Sequence, residues 1–450
     1  MERTTEPTPA PVPPGATQAG DVRARWAWAE PSVWTDRMLT ALEHGVKGGV
    51  WFSLIDKVCS AKNLRSAFAK VKANGGSAGV DRQTLERFDR HRDEHLRRLE
   101  QSLRDGSYRP QAIRRTYIPK PGTQETRPLG IPTVRDRVVQ AAVRHVLEPI
   151  FERDFAAHSY GFRPGRGCKD ALRRVDGLLK AGSVWVVDAD LQSYFDTIDH
   201  ERLMACLRRK VADGRVLGLV EAFLKQEVMD ALKTWTPEEG CPQGAVLSPL
   251  LSNIYLDALD HEMARCGWEM IRYADDFVIL CRSEAEAQAA LERVRQWTAQ
   301  AGLTLHPQKT RLVDARQRGG FDFLGYHFER GYRWPRTKSL RKLKDTLRSL
   351  TKRTNGRSLH QIIREVNRVL IGWFEYFKHS HKTTYPRLDK WIRMRIRTVL
   401  RKRRKRRGRA RGPDNKRWPN AFFAREGLIS LSARHATHCR PPLARQSPLG

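Results

Sequence analysis

Two short apolar runs, each interrupted by carboxylates, constrain this chain more than any other feature. VWVV (184–187) is a continuous apolar run of the length found in buried strands, and Asp188 and Asp190 follow it. IRYADDFVIL (271–280) reads as strand, polar turn, strand, a hairpin with Asp275 and Asp276 in its turn. Together they predict a central sheet with acidic residues gathered at its mouth. Turns favour Asp because its side chain bonds the local backbone, so either pair alone could be a plain turn-former. The other reading is an oxygen-ligand site suited to Mg²⁺.

Charge bears on that choice. The chain carries 83 Lys and Arg against 50 Asp and Glu, a net of +33 over 450 residues. Residues 393–417 hold 14 of those cations and one Asp, and the remaining +20 is spread widely. A basic tail alone is usually a solvated arm, but a whole chain this basic points to a polyanion, most simply nucleic acid. Charge by itself also allows a purely structural RNA-binding role. A polyanionic partner and a carboxylate site able to hold two ions describe a nucleotidyl transferase or a nuclease. At 40% apolar residues the chain can bury cores, and its length calls for more than one. There is no apolar run of 18, no secretory-type start, and the seven scattered cysteines contain no C-x-x-C. The expectation is a soluble intracellular protein with no membrane partner, no disulfide framework and no zinc ribbon.

Along the chain, residues 1–24 are rich in Pro, Ala, Thr and Gly and read as a disordered lead-in. Helical spacing over 63–72 gives way to a loop at 73–81, and 117–131 reads as two short strands joined by a Pro/Gly turn. Two arginine-bearing helices are expected within 133–150. After Trp334 the pattern changes. Leu340, Leu343, Leu347 and Leu350 repeat at helical spacing, and Ser358 with Gln361 forms a capping box ahead of Ile362, Val366, Leu370 and Phe374. A third helix carries Leu388, Trp391, Ile392 and Val399 into RKRRKRR (401–407), making a basic helical module of about 70 residues.

YADD (273–276) resembles the Y-x-D-D signature of reverse transcriptases, and DADLQSYFD (188–196) resembles their first carboxylate motif. They stand in order with IPKPGTQETRPLGIP (118–132), SYGFRPGRGCKDAL (159–172), GCPQGAVLSPLLSNIYLDALD (240–260), LTLHPQKTRLV (303–313) and FDFLGYHF (321–328). With NRVLIGWFEYF (367–377), LDKWIRMRIR (388–397) and RWPNAFF (417–423), the chain is identified as similar to bacterial group II intron reverse transcriptase/maturases. The resemblance implies an α+β right-hand polymerase, with fingers and a palm built on a ferredoxin-like antiparallel sheet, followed by an all-helical thumb/maturase module. The implied plan is an N-terminal extension and start of the fingers over 25–115, fingers and palm over 116–335, thumb over 336–407 and a basic tail over 408–450.

Carried over residue by residue, the resemblance makes Asp190 and Asp275 the principal ligands of two Mg²⁺ ions. Asp276 assists, the carbonyl of Ala189 or Leu191 can complete the shell, and Asp188 acts as a local electrostatic contributor. Phe195 would form an aromatic wall beneath the sugar that excludes a ribose 2′-OH, or is simply core. Lys120 and Arg127 would clasp the dNTP triphosphate, unless they are two more members of a basic surface. Gln243 and Gly244 would lie against the incoming nucleotide, with Ala245 where many relatives carry glycine. Lys309 is a candidate general acid for pyrophosphate, or a surface lysine. Arg341, Lys342, Lys344 and Arg348, with Lys352 and Arg353 beyond them, would track RNA phosphates, as would Arg401, Lys402, Arg403, Arg404 and Lys405.

The implied partners are group II intron RNA, an RNA template and a DNA primer or target, in a bacterial cytoplasm. HATHC (435–439) has metal-like spacing but lacks a second cysteine pair, and 39 residues follow Arg411. No zinc-associated HNH endonuclease is therefore expected, and primers would come from elsewhere, such as a replication fork. Two alternatives stay open: a maturase whose polymerase is dispensable, and a domesticated reverse transcriptase in phage defence.

Overall fold

Residues 19–119, 126–231 and 233–439 are described by a computed structural model, in two units that meet at Leu312 and Val313. Lys120 and the fingertip turn expected between 117 and 131 lie outside the described residues, as do 1–18. The expected lead-in is shorter than 24 residues, because a helix already spans Ala19–Arg25. Trp34 shows why order begins early: it is fully buried and donates its indole N–H to the carbonyl of His145 at 2.9 Å.

Eight strands run to the end of the first unit: β1 (Ile113–Pro119), β2 (Thr126–Ile131), β3 (Trp185–Asp190), β4 (Val228–Asp230), β5 (Lys233–Trp235), β6 (Glu269–Tyr273), β7 (Asp276–Cys281) and β8 (Arg311–Asp314). One sheet has the order β6-β7-β3-β8, with β7 antiparallel to both β6 and β3. Helices intervene between β3 and β6 and between β7 and β8, which is the βαββαβ arrangement of a ferredoxin-like palm. The other sheet runs β2-β1-β4-β5, and its β1–β2 hairpin puts Arg127 opposite Ile118.

Alternation decides what each palm face does. Val187 and Ala189 of β3, with Phe277 and Ile279 of β7 and Met270 of β6, join the large core. The helices Ser248–Arg265 and Glu284–Gln300 pack on these strands and supply Leu251, Ile254, Ala290 and Val294 to the same core. Asp188 and Asp190 fall on the opposite face, together with Asp276, which pairs with Asp190. The helix Cys168–Lys180 packs on β6 and β7, and Asp188 and Asp190 stay partly accessible. Both carboxylates lie inside β3 and not beyond it: a strand end at an open sheet mouth tolerates Asp, which an apolar-run criterion misses.

The segment 133–150 also departs from expectation. It is one helix, Val134–Glu152, capped by Thr133, whose side chain accepts from the Asp136 amide at 3.2 Å. Arg137, inside this helix, is accommodated by donating to the carbonyls of Gly75 and Ser77 at 3.2 and 3.0 Å.

The second unit opens with a meander of β9 (Phe321–Phe323), β10 (Tyr326–Glu329) and β11 (Tyr332–Pro335). The compact unit therefore takes in this small sheet ahead of the helices. Helices follow at Thr337–Leu350, Leu359–Phe377 and Thr384–Arg403. The second carries the expected capping box: the Ser358 hydroxyl accepts from the Gln361 amide at 3.1 Å, and Gln361 accepts from the Ser358 amide at 3.0 Å. Leu343, Leu347, Ile362, Val366, Leu370, Ile392 and Ile396 make its core.

The stretch 408–450, expected as a basic tail, is folded through residue 438. Short helices at Gly412–Arg417, Asn420–Arg425 and Leu431–His438 bring Phe423 and Leu431 into that core. Asp389 accepts from the amides of Leu431 and Ser432 at 2.9 and 3.1 Å, and Arg397 donates to the carbonyl of Trp418 at 2.8 Å while lying over the Phe423 ring. Truncating Phe423 to alanine should cost ~3–5 kcal/mol of this unit's stability, read from a denaturant titration. A solvated tail would show no change.

Candidate active site

The site is built on the Tyr273–Asp276 turn. Tyr273 pairs with Asp276, leaving Ala274 and Asp275 as a two-residue hairpin loop with Ala274 at φ +61°. A non-glycine residue there persists only if its surroundings hold it. Two contacts do so. Gly161 lies so close that a Cβ on it would sit 2.1 Å from the Ala274 nitrogen. Arg272, fully buried, donates to the Ala274 carbonyl at 2.9 Å and to Asn253 at 3.0 Å. Its other face pairs with Asp260, at 2.8 and 3.0 Å from Nε and again through Nη2. Asn253 in turn donates to the Gly161 carbonyl at 2.8 Å, closing a ring of bonds around the turn.

Around it stand the carboxylates. Asp190 and Asp276 face each other across β3 and β7. Burial raises the Asp275 pKa above the usual carboxylate range; the nearby charge of Asp190 adds to this, and Arg127 and Lys309 oppose it. Lys309 places its ammonium 2.6 Å from Asp190 Oδ2, and Arg311 places Nε 3.1 Å from Asp188 Oδ2. The backbone fixes this approach: His306 donates to the Asp190 carbonyl and Gln192 to that of Thr304, both at 2.8 Å. These two bonds flank the Leu191–Leu305 bridge and leave the Leu191 carbonyl out of that pairing.

Among the described residues, no three His, Cys, Asp or Glu side chains converge as a ready metal cage. Mg²⁺ seldom needs one, since it is commonly held by one or two carboxylates plus substrate phosphates. Asp190 and Asp275 fit that requirement, and the Lys309 ammonium already stands where a cation would neutralise Asp190.

A cavity of ≈ 220 Å³ is lined by Phe195, Gln243, Gly130, Arg115, Asp196 and Trp235. Burial raises the Asp196 pKa, and Arg115 and Arg127 oppose it. Phe195 is half-buried and presents its carbonyl to the Cys241 amide at 2.6 Å, tying the first carboxylate motif to the G-C-P-Q-G block. Gly244 packs closely against β2. At φ +109°, a Cβ on it would meet the Gly130 carbonyl at 2.6 Å, while the Gly130 amide donates to the Gln243 carbonyl at 2.7 Å. It is a backbone joint to β2, and Gln243 is the member of the pair that lines the cavity.

Comparison with known proteins sharpens this picture. Residues 118–328 match the family described as "Reverse transcriptase (RNA-dependent DNA polymerase)", and residues 340–418 match "Group II intron, maturase-specific domain". Protein YkfC of Escherichia coli (strain K12) is 33% identical over 346 residues, covering 68% of this chain and 86% of YkfC. The group II intron-encoded protein LtrA of Lactococcus lactis subsp. cremoris is 39% identical over 196 residues. The chain belongs to the group II intron reverse transcriptases.

The LtrA match covers 43% of this reverse transcriptase and 32% of LtrA. A solved chain described as "Partial Cas6-RT-Cas1–Cas2 complex" is similar over 55% of this chain and 41% of its own, at 25% identity and TM-score 0.35. Reverse transcriptases use divalent metal ions. No helix among the described residues is long and apolar enough to cross a membrane.

In the helical unit of this reverse transcriptase, Arg341, Lys342, Arg348, Lys352 and Arg353 are exposed, and Lys344 and Arg348 lie 5.9 and 5.8 Å from the Trp391 ring centroid. Lys402, Arg403, Arg404 and Lys405 are exposed. Arg401 departs from its group: it pairs with Asp414 at 2.8 Å and donates to the Arg407 carbonyl at 2.9 Å, so its guanidinium is engaged in holding 407–414. HATHC ends a helix in which His435 stacks on Tyr385 at 4.5 Å. The sequence reading missed Arg272, Asp260, Asn253 and Gly161 as supports of the turn. A signal existed: an Arg inside an apolar strand and an Asp inside an apolar helix each demand a partner.

Proposed function

We propose that this protein is the RNA-directed DNA polymerase of a group II intron, copying intron RNA into DNA, and that it also binds that RNA as its maturase. The observation that carries the polymerase reading is the grouping of Asp190, Asp275 and Asp276 at one end of the palm sheet, with the Arg127 charge felt at Asp275. Asp190 and Asp275 would hold two Mg²⁺ ions, which supply activation of the primer 3′-oxygen and charge neutralisation at the departing pyrophosphate. Arg127 binds the triphosphate as a fork, and Lys120 adds a point charge beside it. Phe195 sets the sugar preference, and Gln243 lines the nucleotide cavity. Lys309, drawn off Asp190 when the ions bind, is then free to give a proton to the leaving pyrophosphate.

The reading is tested by primer extension on an RNA template with Mg²⁺, using deoxy- and ribonucleoside triphosphates in parallel. Wild type should extend with deoxynucleotides, and Phe195→Ala should lower the deoxy-over-ribo preference in kcat/KM by about 10²-fold, the scale on which a pocket rejects an added hydroxyl. An unchanged preference would return Phe195 to the core. Failure of wild type to extend any primer, with RNA binding retained, would favour a maturase that needs no polymerase.

A further inference from the structure

The helical unit holds a pocket that the catalytic reading does not use. Arg348, Arg353, Arg395 and Arg409 line a cavity of ≈ 410 Å³ beside Trp391 and Thr398, and no carboxylate lines it. The four come from separate places: two from the end of the Thr337–Leu350 helix and the turn after it, one from the Thr384–Arg403 helix, one from the 404–411 connection.

Arg395 is the centre. It is half-buried and fixed by Nε to the Thr351 hydroxyl at 3.1 Å and by Nη2 to the carbonyls of Thr351 and Arg348 at 3.0 and 3.4 Å. Arg353 reaches the Gly408 carbonyl at 3.5 Å, so the connection carrying Arg409 is tied to the same wall. Arg348 rests over Trp391 and pairs on its outer side with Asp345, which does not line the cavity. Burial, and then the charges of Arg348, Arg353 and Arg409, depress the Arg395 pKa. Four guanidiniums facing one space repel each other, and a tetrahedral anion with several acceptor oxygens relieves that repulsion.

We infer that this pocket seats one backbone phosphate of bound RNA in a fixed position, held by Nη1 of Arg395, whose Nε and Nη2 are engaged by Thr351 and Arg348, and by the guanidiniums of its three neighbours. The inference rests on the proposed RNA-binding role of this unit, whose family match at 340–418 encloses the whole pocket. It differs from a basic surface in one testable way. A diffuse field responds to charge alone, whereas a forked seat responds to guanidinium geometry.

The experiment measures affinity of the full chain for an RNA oligonucleotide and for DNA of the same sequence across a salt series. Arg395→Lys keeps the charge and loses the planar guanidinium that Thr351 and the Arg348 carbonyl hold in place, and is expected to weaken RNA binding about tenfold. Arg353→Gln with Arg409→Gln, at two exposed positions, should lower the slope of log K against log salt by about one. Lys402→Gln with Arg404→Gln serves as the control for the unit's general RNA role. If that control weakens binding while both pocket variants bind as wild type, the seat is wrong and the RNA-binding reading stands. If neither the control nor the pocket variants alter RNA affinity, the reading itself falls and the seat with it. Equal losses on RNA and DNA are expected, because the seat reads a phosphate and not the 2′-OH; a loss confined to RNA would overturn a phosphate seat. Melting of each variant checks folding; should Arg395→Lys unfold, the exposed pair decides alone.

Discussion

Asp275→Ala should abolish cDNA synthesis while leaving RNA affinity within about twofold of wild type. The side chain sits in the turn between β6 and β7 beside Asp190, and in the proposed role it ligates the ions and contacts no RNA phosphate, which its own negative charge would repel. Losing such a ligand removes several kcal/mol of transition-state stabilisation, which is about 10³-fold or more in rate. Single-turnover primer extension beside a filter-binding titration reads both quantities. Extension by the mutant at a tenth of the wild-type rate would sink the metal assignment. A parallel loss of RNA affinity would mean that the turn had unfolded, which a melting curve detects.

Asp260→Ala should act on stability first. Arg272 is completely shielded from solvent and Asp260 supplies its counter-charge through both oxygens. Removing one partner leaves a buried charge uncompensated, at a cost of about 3–5 kcal/mol. Because Arg272 also donates to the Ala274 carbonyl, the Ala274–Asp275 turn should loosen with it. The expected result is a large drop in denaturation midpoint together with lost extension, although Asp260 touches no substrate. Asp260→Asn keeps hydrogen-bonding capacity and should fall between wild type and Ala. A midpoint unchanged in the alanine variant would show that Arg272 finds another partner, and the support assigned to it would be wrong.

How much could be read in advance follows from the range of each interaction. The hairpin at 271–280 was legible because strand alternation and a polar two-residue turn are local signals. The capping box of Ser358 and Gln361 was legible for the same reason: both partners lie within one turn. The segment 408–450 was misread because its composition is dominated by charge. Its short helices hold only because Asp389, Asn367 and Arg397 of preceding helices bond them, at separations of 21 to 62 residues. Helices of six to eight residues have too little periodicity to announce themselves and no stability alone.

The site divides along the same line. Order along the chain made Asp190, Asp275 and Asp276 legible as candidates, since they sit in local strand-and-turn patterns. It also determined that a basic helical unit follows. Only tertiary structure decided how the charges pair: Lys309 with Asp190 across 119 residues, Arg311 with Asp188 across 123, and Arg401 with Asp414. The four arginines around Trp391 are likewise indistinguishable in sequence from the rest of a chain at +33. Coulomb energy depends on separation and burial, and both are properties of the folded chain.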